Sequence, residues 1–319
     1  MKGEKLQLHI PVALDRCIAL LTPALARNSE PILIDATLGM GGHTKALLES
    51  FPSLRVIAFD RDTSAIAVAK ETLGDLSNRV TIIHAVYDQI ASTLEELSVT
   101  SVDGVLFDLG VSSMQLDEAE RGFAYSQEAP LDMRMDQSTG SSALDILNSY
   151  SRSDLIQVIR TYGEEKFAPR IVDNIIVARE SGRLKSTKDL AEIVKESIPA
   201  PARRTGGNPA KRTFQALRIE VNQELEVLER ALPQALNALS VGGRIVVMAY
   251  QSLEDKIVKK AFAAITQSGT PLGLPIDLPN SAAKFNFVLR GSEGASDVEI
   301  AANSRAGSMR LRCVERVAA

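Results

Sequence analysis

"ILIDATLGMGGHT", residues 32–44, is an apolar run that stops at an acid and opens into glycines. Three further runs rich in branched apolar residues follow it, "RVIAFD" (55–60), "RVTIIHA" (79–85) and "VDGVLFDLG" (102–110). Continuous rather than alternating apolar runs are typical of strands buried on both faces of a parallel sheet. The spacing of these runs leaves room for helices between them, which predicts a doubly wound α/β domain.

Two segments between the strands have helical character. "HTKALLESFP" (43–52) predicts a helix that ends before Pro52. "DTSAIAVAKETLGDL" (62–76) predicts a second helix, with Thr63 or Ser64 as its N-cap and Gly74 near its C-terminus. The N-terminal "PVALDRCIALLTPALA" (11–26) predicts an amphipathic helix rather than a signal peptide, because Asp15 and Arg16 interrupt it.

After residue 116, the alternation of strand-like apolar runs with helical segments stops for about a hundred residues. Three segments there have a period near 3.6 and predict helices; they are "SRSDLIQVIRTYG" (151–163), "EKFAPRIVDNIIVARESG" (165–182) and "STKDLAEIVKESIP" (186–199). A longer helix is expected from about Thr213 to Leu232, with Pro233 opening a further short one. The sequence therefore predicts an α/β domain of residues 1–116 and 213–319 with a helical insert of residues 117–212.

The second half of the α/β domain is expected to complete the sheet. The turn "SVGG" (240–243) precedes the strand "RIVVMAY" (244–250), and the alternating "SMRLRCVERV" (308–317) supplies a last strand. Residues 268–284 are rich in Pro, Gly and Ser, which predicts a surface loop.

Net charge, cysteine content and the length of the apolar stretches argue against several classes of protein. The net charge of −4 over 319 residues argues against a protein that coats nucleic acid by overall charge. One local basic stretch, "PARRTGGNPAKRTFQALR" (201–218), contains no acid and is either a phosphate-binding segment or a solvated loop. Two cysteines without paired spacing indicate neither a disulfide framework nor a zinc site, so no metal is expected. No apolar stretch reaches membrane-spanning length, and a soluble protein of the reducing cytoplasm is predicted.

The glycine loop does not match the phosphate-binding motifs. Counting from Gly39, the dinucleotide pattern G-x-G-x-x-G fails at Thr44, and no P-loop pattern is present. The second strand ends at Asp60, an acid placed to accept hydrogen bonds from ribose hydroxyls. A ligand with a ribose and no required phosphate is indicated, and S-adenosylmethionine fits that description. The alternative is that Asp35 and Asp60 only cap local structure.

Asp108 ends the "VDGVLFD" strand and should face the glycine loop, because ligands of open α/β sheets lie beyond the carboxyl ends of the strands. If the methyl acceptor is an exocyclic amine of a base, its lone pair is delocalised into the ring. A carboxylate or carbonyl that accepts a hydrogen bond from the amine would localise this lone pair, and Asp108 and the Leu109 carbonyl are placed for it. The alternative, that Asp108 only orients the cofactor, stays open.

Seven ordered blocks resemble one known family, the bacterial 16S ribosomal RNA cytosine-N4 methyltransferases, called RsmH or MraW. These blocks are "HIPV" (9–12), "DATLGMGGHT" (35–44), "FDRD" (59–62), "FDLGVSSMQLD" (107–117), "ERGFAYSQEAPLDMRMD" (120–136), "RTFQALRIEVNQEL" (212–225) and "QSLEDKIVK" (251–259). The resemblance spans nearly the whole chain. It implies a Rossmann-like class I methyltransferase with a largely parallel sheet, S-adenosylmethionine as donor, and an inserted helical substrate-recognition domain.

The resemblance also implies a reaction and a set of site residues. The reaction is methylation of the N4 amine of a cytosine in the decoding region of 16S ribosomal RNA, with an assembled small ribosomal subunit as the expected partner; a homodimer is compatible. The implied cofactor-binding residues are Gly41, Gly42, His43, Asp60, Tyr87, Asp108 and Gln115. Of these, the residue patterns alone reach the loop glycines, Asp60 and Asp108, and Asp108 is also the catalytic candidate.

A cytosine amine must be unpaired or flipped before it can react, which requires a stacking surface and phosphate contacts. Phe123 and Tyr125 are the favoured stacking platforms, ahead of Phe214 and Tyr250. Candidates for phosphate contact are Arg121, Arg134, Arg203, Arg204, Lys211 and Arg212.

Two departures from the family pattern leave an alternative function open. Gln251 stands where the family usually has histidine, and Tyr250 where it usually has phenylalanine. Loss of an essential histidine would favour a non-catalytic small-subunit assembly factor that retains the methyltransferase fold. A nicotinamide oxidoreductase is disfavoured by Thr44 in the glycine loop.

Overall fold

A computed structural model describes residues 11–203, 208–268 and 282–319. Seven strands form a single sheet: β1 Ile32–Asp35, β2 Arg55–Asp60, β3 Val80–His84, β4 Val102–Asp108, β5 Leu239–Ala249, β6 Phe285–Phe287 and β7 Arg310–Arg316. Their spatial order is β3-β2-β1-β4-β5-β7-β6. β1 to β5 run parallel to one another, whereas β7 runs antiparallel to both β5 and β6. The predicted α/β class with a largely parallel sheet is confirmed.

The helices are, in chain order, α1 Leu14–Leu25, α2 Gly42–Ser50, α3 Thr63–Leu73, α4 Ile90–Glu96, α5 Ser113–Asp117, α6 Ala143–Ser149, α7 Arg152–Gly163, α8 Ala168–Glu180, α9 Thr187–Ser197, α10 Ala200–Arg203, α11 Lys211–Asn222, α12 Glu224–Ala238, α13 Ser252–Ile265 and α14 Asp297–Ala302. Within the described ranges, no helix is both long and apolar enough to cross a membrane. The predicted 268–284 loop lies mostly outside the described residues.

The chain divides into two compact units. The first comprises residues 1–110 and 225–319, and the second comprises residues 111–224. The expected boundaries at 116/117 and 212/213 therefore differ from the observed ones. The physical reason is packing: α11 places Phe214 and Leu217 in the apolar core of the second unit, together with Leu155 and Ile159 of α7.

The sheet of the first unit is covered on both faces. Alternate residues of each central strand enter opposite cores, so that Leu33 and Leu106 pack on one side, while Ile34 and Phe107 pack on the other. This two-sided burial explains the continuous apolar runs in the sequence. β3 differs, because it is an edge strand whose residues are only partly buried.

Several local expectations need correction. The N-cap of α3 is Asp62, not Thr63 or Ser64, and its carboxylate accepts hydrogen bonds from the Ser64 and Ala65 N–H groups. The long helix is interrupted at Gln223, which has a left-handed φ of +51° and separates α11 from α12. Pro233 lies inside α12 and does not open a new helix. The "SVGG" residues belong to β5, where pairing moves from Val102↔Leu239 to Gly104↔Arg244 and leaves them as a bulge.

A buried asparagine organises the second unit. Asn222, 1% exposed, accepts a hydrogen bond from the Met135 N–H at 2.8 Å and donates to the Met133 and Arg218 carbonyls at 2.8 and 2.9 Å. Met133 itself has a left-handed φ of +61°. A single amide side chain at the end of α11 thus holds the "LDMRMD" segment in a backbone conformation that non-glycine residues rarely adopt.

We expect Asn222→Ala to lower the free energy of unfolding by about 2–4 kcal/mol, because it leaves the buried Met135 N–H and Met133 carbonyl without this partner. Urea unfolding followed by circular dichroism measures the change. Asn148→Ala is the matched control, since Asn148 is exposed on α6 of the same unit. Equal stability of the two variants would contradict the role given to Asn222.

Candidate active site

The glycine loop connects the end of β1 to α2. Gly39 and Gly41 have positive φ values of +52° and +80°, and Gly41 is the N-cap of α2. A Cβ on Gly41 would lie 3.3 Å from the Cβ of Ala69, and one on Gly42 would lie 2.5 Å from Cγ of Pro11. Close packing with the protein itself therefore accounts for these two glycines, whatever the loop binds.

Asp35 is the anchor of this loop. Its side chain is 1% exposed; it accepts a 2.6 Å hydrogen bond from Oγ1 of Thr44 and a 3.1 Å bond from the Thr37 N–H. Burial raises the pKa of Asp35, although these hydrogen bonds oppose the shift. The alternative that Asp35 serves local structure fits this geometry.

Asp60 lies at the carboxyl end of β2, next to the loop. Its Oδ2 accepts from the Gly39 N–H at 2.7 Å and its Oδ1 from the Asp62 N–H at 2.8 Å. Burial is the main cause that raises the pKa of Asp60 to about 6, against the effect of both hydrogen bonds. Each carboxylate oxygen has two lone pairs, so the half-buried group retains capacity to accept hydroxyl donors.

Asp108 ends β4, and two side chains face its carboxylate. The Tyr250 hydroxyl donates to Oδ1 at 2.7 Å, and Nδ1 of His43 lies 3.7 Å from Oδ2. The Asp108 N–H donates to Oγ1 of Thr37 at 2.7 Å. The structure thus brings together Asp108 and His43, two of the expected site residues, and adds Tyr250 and Thr37.

His43 also has a second contact, which defines its role. Its Nε2 lies 3.1 Å from the Val12 carbonyl oxygen; since a carbonyl only accepts, Nε2 carries the proton of that hydrogen bond. The ring is 7% exposed. His43 therefore ties the segment before α1 to the start of α2 and presents its other nitrogen to Asp108.

Tyr87 follows β3 in a short 3-10 helix. Its ring packs edge-on against Phe107 of β4, with centroids 5.4 Å apart and planes at 88°. The side chain is half-buried. This contact fixes the ring orientation next to the strand that ends at Asp108.

Gln115 belongs to the second unit. It occupies the N3 position of α5, where its Oε1 accepts from the Ser112 N–H at 3.1 Å and its own N–H donates to Oγ of Ser112 at 3.2 Å. This reciprocal pair is a capping box, and the Gln115 side chain is 5% exposed. The capping box is a structural role for Gln115 that the sequence analysis did not recognise.

The two favoured stacking aromatics differ in exposure. Phe123 is 6% exposed within the core of the second unit. Its burial contradicts the expected role as a stacking platform, because a base cannot reach a ring enclosed by other side chains. Tyr125 is half-buried and packs edge-on against Phe214 at a centroid distance of 5.8 Å.

The arginines predicted to contact phosphate differ in the partners that their guanidinium groups already have. Arg134 forms a bidentate pair with Asp132, with N–O distances of 2.8 and 2.9 Å. Arg203 donates to the Ile198 carbonyl at 2.6 Å. Arg212 is exposed and lies 3.9 Å from Glu165, whereas Arg204 is outside the described residues. Arg134 is less available for phosphate than Arg212, because the Asp132 carboxylate already pairs with its guanidinium group.

Arg121 and Lys211 complete the set of phosphate candidates. Arg121 is 4% exposed, and its Nη2 donates to the carbonyls of Arg134 and Met135 at 3.1 and 2.9 Å. This burial contradicts a phosphate contact for Arg121. Lys211 is exposed at the first position of α11.

In the first unit, three of the parallel strands end in acids: β1 ends at Asp35, β2 at Asp60 and β4 at Asp108. Carboxylates repel a pyrophosphate and attract a ligand with positive charge and hydroxyl donors. A cofactor with a ribose, a sulfonium and an amino group fits these residues. This fold and site define an S-adenosylmethionine-dependent methyltransferase.

The chain belongs to the MraW methylase family, whose sequence profile matches residues 6–317. It is 53% identical over 313 residues to a protein of Renibacterium salmoninarum named ribosomal RNA small subunit methyltransferase H, covering 97% of this chain and 95% of that protein. A protein of Mycolicibacterium smegmatis with the same name is 55% identical over 313 residues, covering 97% and 84%. An rRNA methylase structure from Streptococcus thermophilus aligns with 97% of this chain and 98% of its own, at 13% identity and a TM-score of 0.42.

Proposed function

We propose that this methyltransferase transfers a methyl group to the N4 amine of a cytosine in the decoding region of 16S ribosomal RNA. The relatives are named for ribosomal RNA of the small subunit. The observation that carries the proposal is the Asp108 carboxylate at the carboxyl end of β4, which accepts a hydrogen bond from the Tyr250 hydroxyl. S-adenosylmethionine, when bound, supplies the electrophilic methyl group.

Asp108 has the catalytic role in this proposal. The lone pair of a cytosine amine is delocalised into the ring, which makes the nitrogen a weak nucleophile. A carboxylate that accepts a hydrogen bond from the amine returns electron density to the nitrogen and can hold the proton that leaves it. The Asp108 side chain is 27% exposed, so a substrate amine can reach it.

The cofactor residues proposed are those of the glycine loop and the strand ends. Asp60 accepts from the ribose hydroxyls, the ring of Tyr87 stacks on the adenine, and the Gly41–His43 loop lines the amino acid part. For Gln115, a cofactor contact is proposed from the family resemblance.

The second unit, with Tyr125, Arg203, Arg204 and Arg212, is proposed to recognise the RNA. Tyr125 offers a half-buried ring for a flipped base, and exposed Arg212 offers a phosphate contact. Because the net charge is −4, a large structured substrate with many local contacts is favoured over bare single strands. We propose an assembled small subunit in the cytoplasm, with the protein acting as monomer or homodimer.

The experiment that tests this function is transfer of labelled methyl from S-adenosylmethionine to small ribosomal subunits isolated from a strain that lacks the protein. We expect label in N4-methylcytidine after digestion to nucleosides and mass analysis. Cofactor binding without any label would instead support the assembly-factor alternative. Label in a different nucleoside would contradict the proposed acceptor.

Asp108→Asn should lower the rate of methyl transfer by at least about a hundred-fold while the melting temperature stays close to that of the wild type, because an amide cannot take up the proton. Single-turnover transfer to small subunits measures the effect. The matched control is Asp103→Asn, since Asp103 is at the opposite end of β4, where its carboxylate accepts from the Ile32 N–H. Full turnover in Asp108→Asn would remove Asp108 from the mechanism.

The affinity for S-adenosylmethionine should depend on pH through Asp60. Its pKa of about 6 means that the carboxylate is ionised above pH 7 and becomes protonated as the pH falls. Since the ionised form accepts the ribose hydrogen bonds best, the affinity should be constant above pH 7 and fall by up to about tenfold per pH unit below the pKa. Calorimetric titration measures it. In Asp60→Asn the affinity should be lower and independent of pH over this range; a retained dependence would assign the titration to another group.

A further inference from the structure

Tyr250 follows the end of β5 and reaches across to the neighbouring strand. In the parallel register of β4 and β5, Asp108 pairs with Met248, so Tyr250 lies just beyond the same edge of the sheet. Its hydroxyl donates to Oδ1 of Asp108 at 2.7 Å. A hydrogen bond from a neutral hydroxyl to an ionised carboxylate is among the stronger hydrogen bonds in proteins.

The backbone and ring of Tyr250 are both held in place. Its N–H donates to Oε2 of Glu254 at 3.0 Å, and Glu254 is 3% exposed in the first turn of α13. The ring lies beside Gly110, where an added Cβ would come within 3.8 Å of Cδ2. The hydroxyl therefore has little freedom to leave Asp108.

Tyr250 stays neutral over the working range of pH. Burial, followed by the charge of Asp108 and the hydrogen bond to it, raises the pKa of Tyr250 well above its usual range. The phenol is consequently a permanent donor. A donor to the charged form of an acid also favours that form over the protonated one.

Among the described residues, the titratable groups that contact Asp108 or interact with it electrostatically come from four elements around it. These groups are Tyr250 after β5, His43 of α2, Asp35 of β1 and Cys17 of α1. Cys17 is fully buried, and burial raises the pKa of its thiol, so it remains uncharged. Asp35 is a like charge, whereas the Tyr250 hydroxyl donates a hydrogen bond that can orient the carboxylate.

We propose that Tyr250 is a positioning residue for methyl transfer, whose hydroxyl holds the Asp108 carboxylate in the orientation that accepts the substrate amine. This inference rests on the proposed function, because it acts through Asp108. The group that positions the Asp108 carboxylate is the tyrosine hydroxyl, which a phenylalanine at this position would lack.

Tyr250→Phe tests the proposal, since it removes one oxygen and keeps the ring. We expect the rate constant for transfer to fall by about ten-fold, with unchanged affinity for S-adenosylmethionine, and the acid limb of the pH–rate profile to move to higher pH. The matched control is Tyr150→Phe, because the Tyr150 hydroxyl donates to Oε1 of Glu220 at the same distance of 2.7 Å within the second unit. The control should leave the profile unchanged.

A double-mutant cycle separates positioning from an independent effect. If Tyr250 acts through Asp108, Tyr250→Phe should have no further effect in the Asp108→Asn background. An equal ten-fold loss in both backgrounds would overturn the proposal, as would a wild-type profile in Tyr250→Phe. If the wild type transfers no methyl group to small subunits, the proposed function fails, and the next measurement still decides whether the Tyr250 hydroxyl is buried beside Asp108.

Alkaline titration of the tyrosines gives a readout that needs no activity. The chain has five tyrosines. An ordinary tyrosine ionises with a pKa of about 10, whereas Tyr250 should stay un-ionised up to about pH 11 as long as the protein is folded. Wild type and Tyr250→Phe should therefore show the same absorbance change up to that pH, and differ only on alkaline unfolding. Loss of a tyrosine that ionises below about pH 11 in Tyr250→Phe would contradict the buried position of this hydroxyl beside Asp108.

Discussion

The hydrogen-bonded register of the parallel strands is the constraint on which the site depends. β4 pairs with β1 on one side and β5 on the other, so that Asp35 aligns with Leu106, and Asp108 with Met248. All these strands run in the same direction, and their carboxyl ends meet at one edge. A shift of register by one residue would turn Asp108 to the other face and separate it from Tyr250.

This edge concentrates negative charge in a partly buried environment. Asp35 and Asp60 both have raised pKa values because burial penalises their charged forms. Backbone N–H groups and hydroxyls around the glycine loop offset part of that cost. The unit thus maintains unfavourable charges at the strand ends, an arrangement that suits a positively charged cofactor.

Much of this could be predicted from the sequence because it depends on local patterns. Each central strand is a continuous apolar run, and the helices of both units have a 3.6-residue period with identifiable ends. The sequence-based predictions failed where contacts between distant parts of the chain outweigh the local sequence pattern. The helix expected to run from Thr213 to Leu232 breaks at Gln223, and Phe123, which local sequence cannot distinguish from an exposed aromatic, is enclosed by the core of the second unit.

By itself, the sequence determined the α/β class, the glycine loop, the acids that end β2 and β4, and the family, because these are properties of consecutive residues. Only the tertiary structure decided which groups contact those acids. Tyr250 is 142 positions away from Asp108 along the chain, and His43 contacts the same carboxylate from another element. Partners so distant in sequence are selected by strand order and packing, which no local pattern encodes.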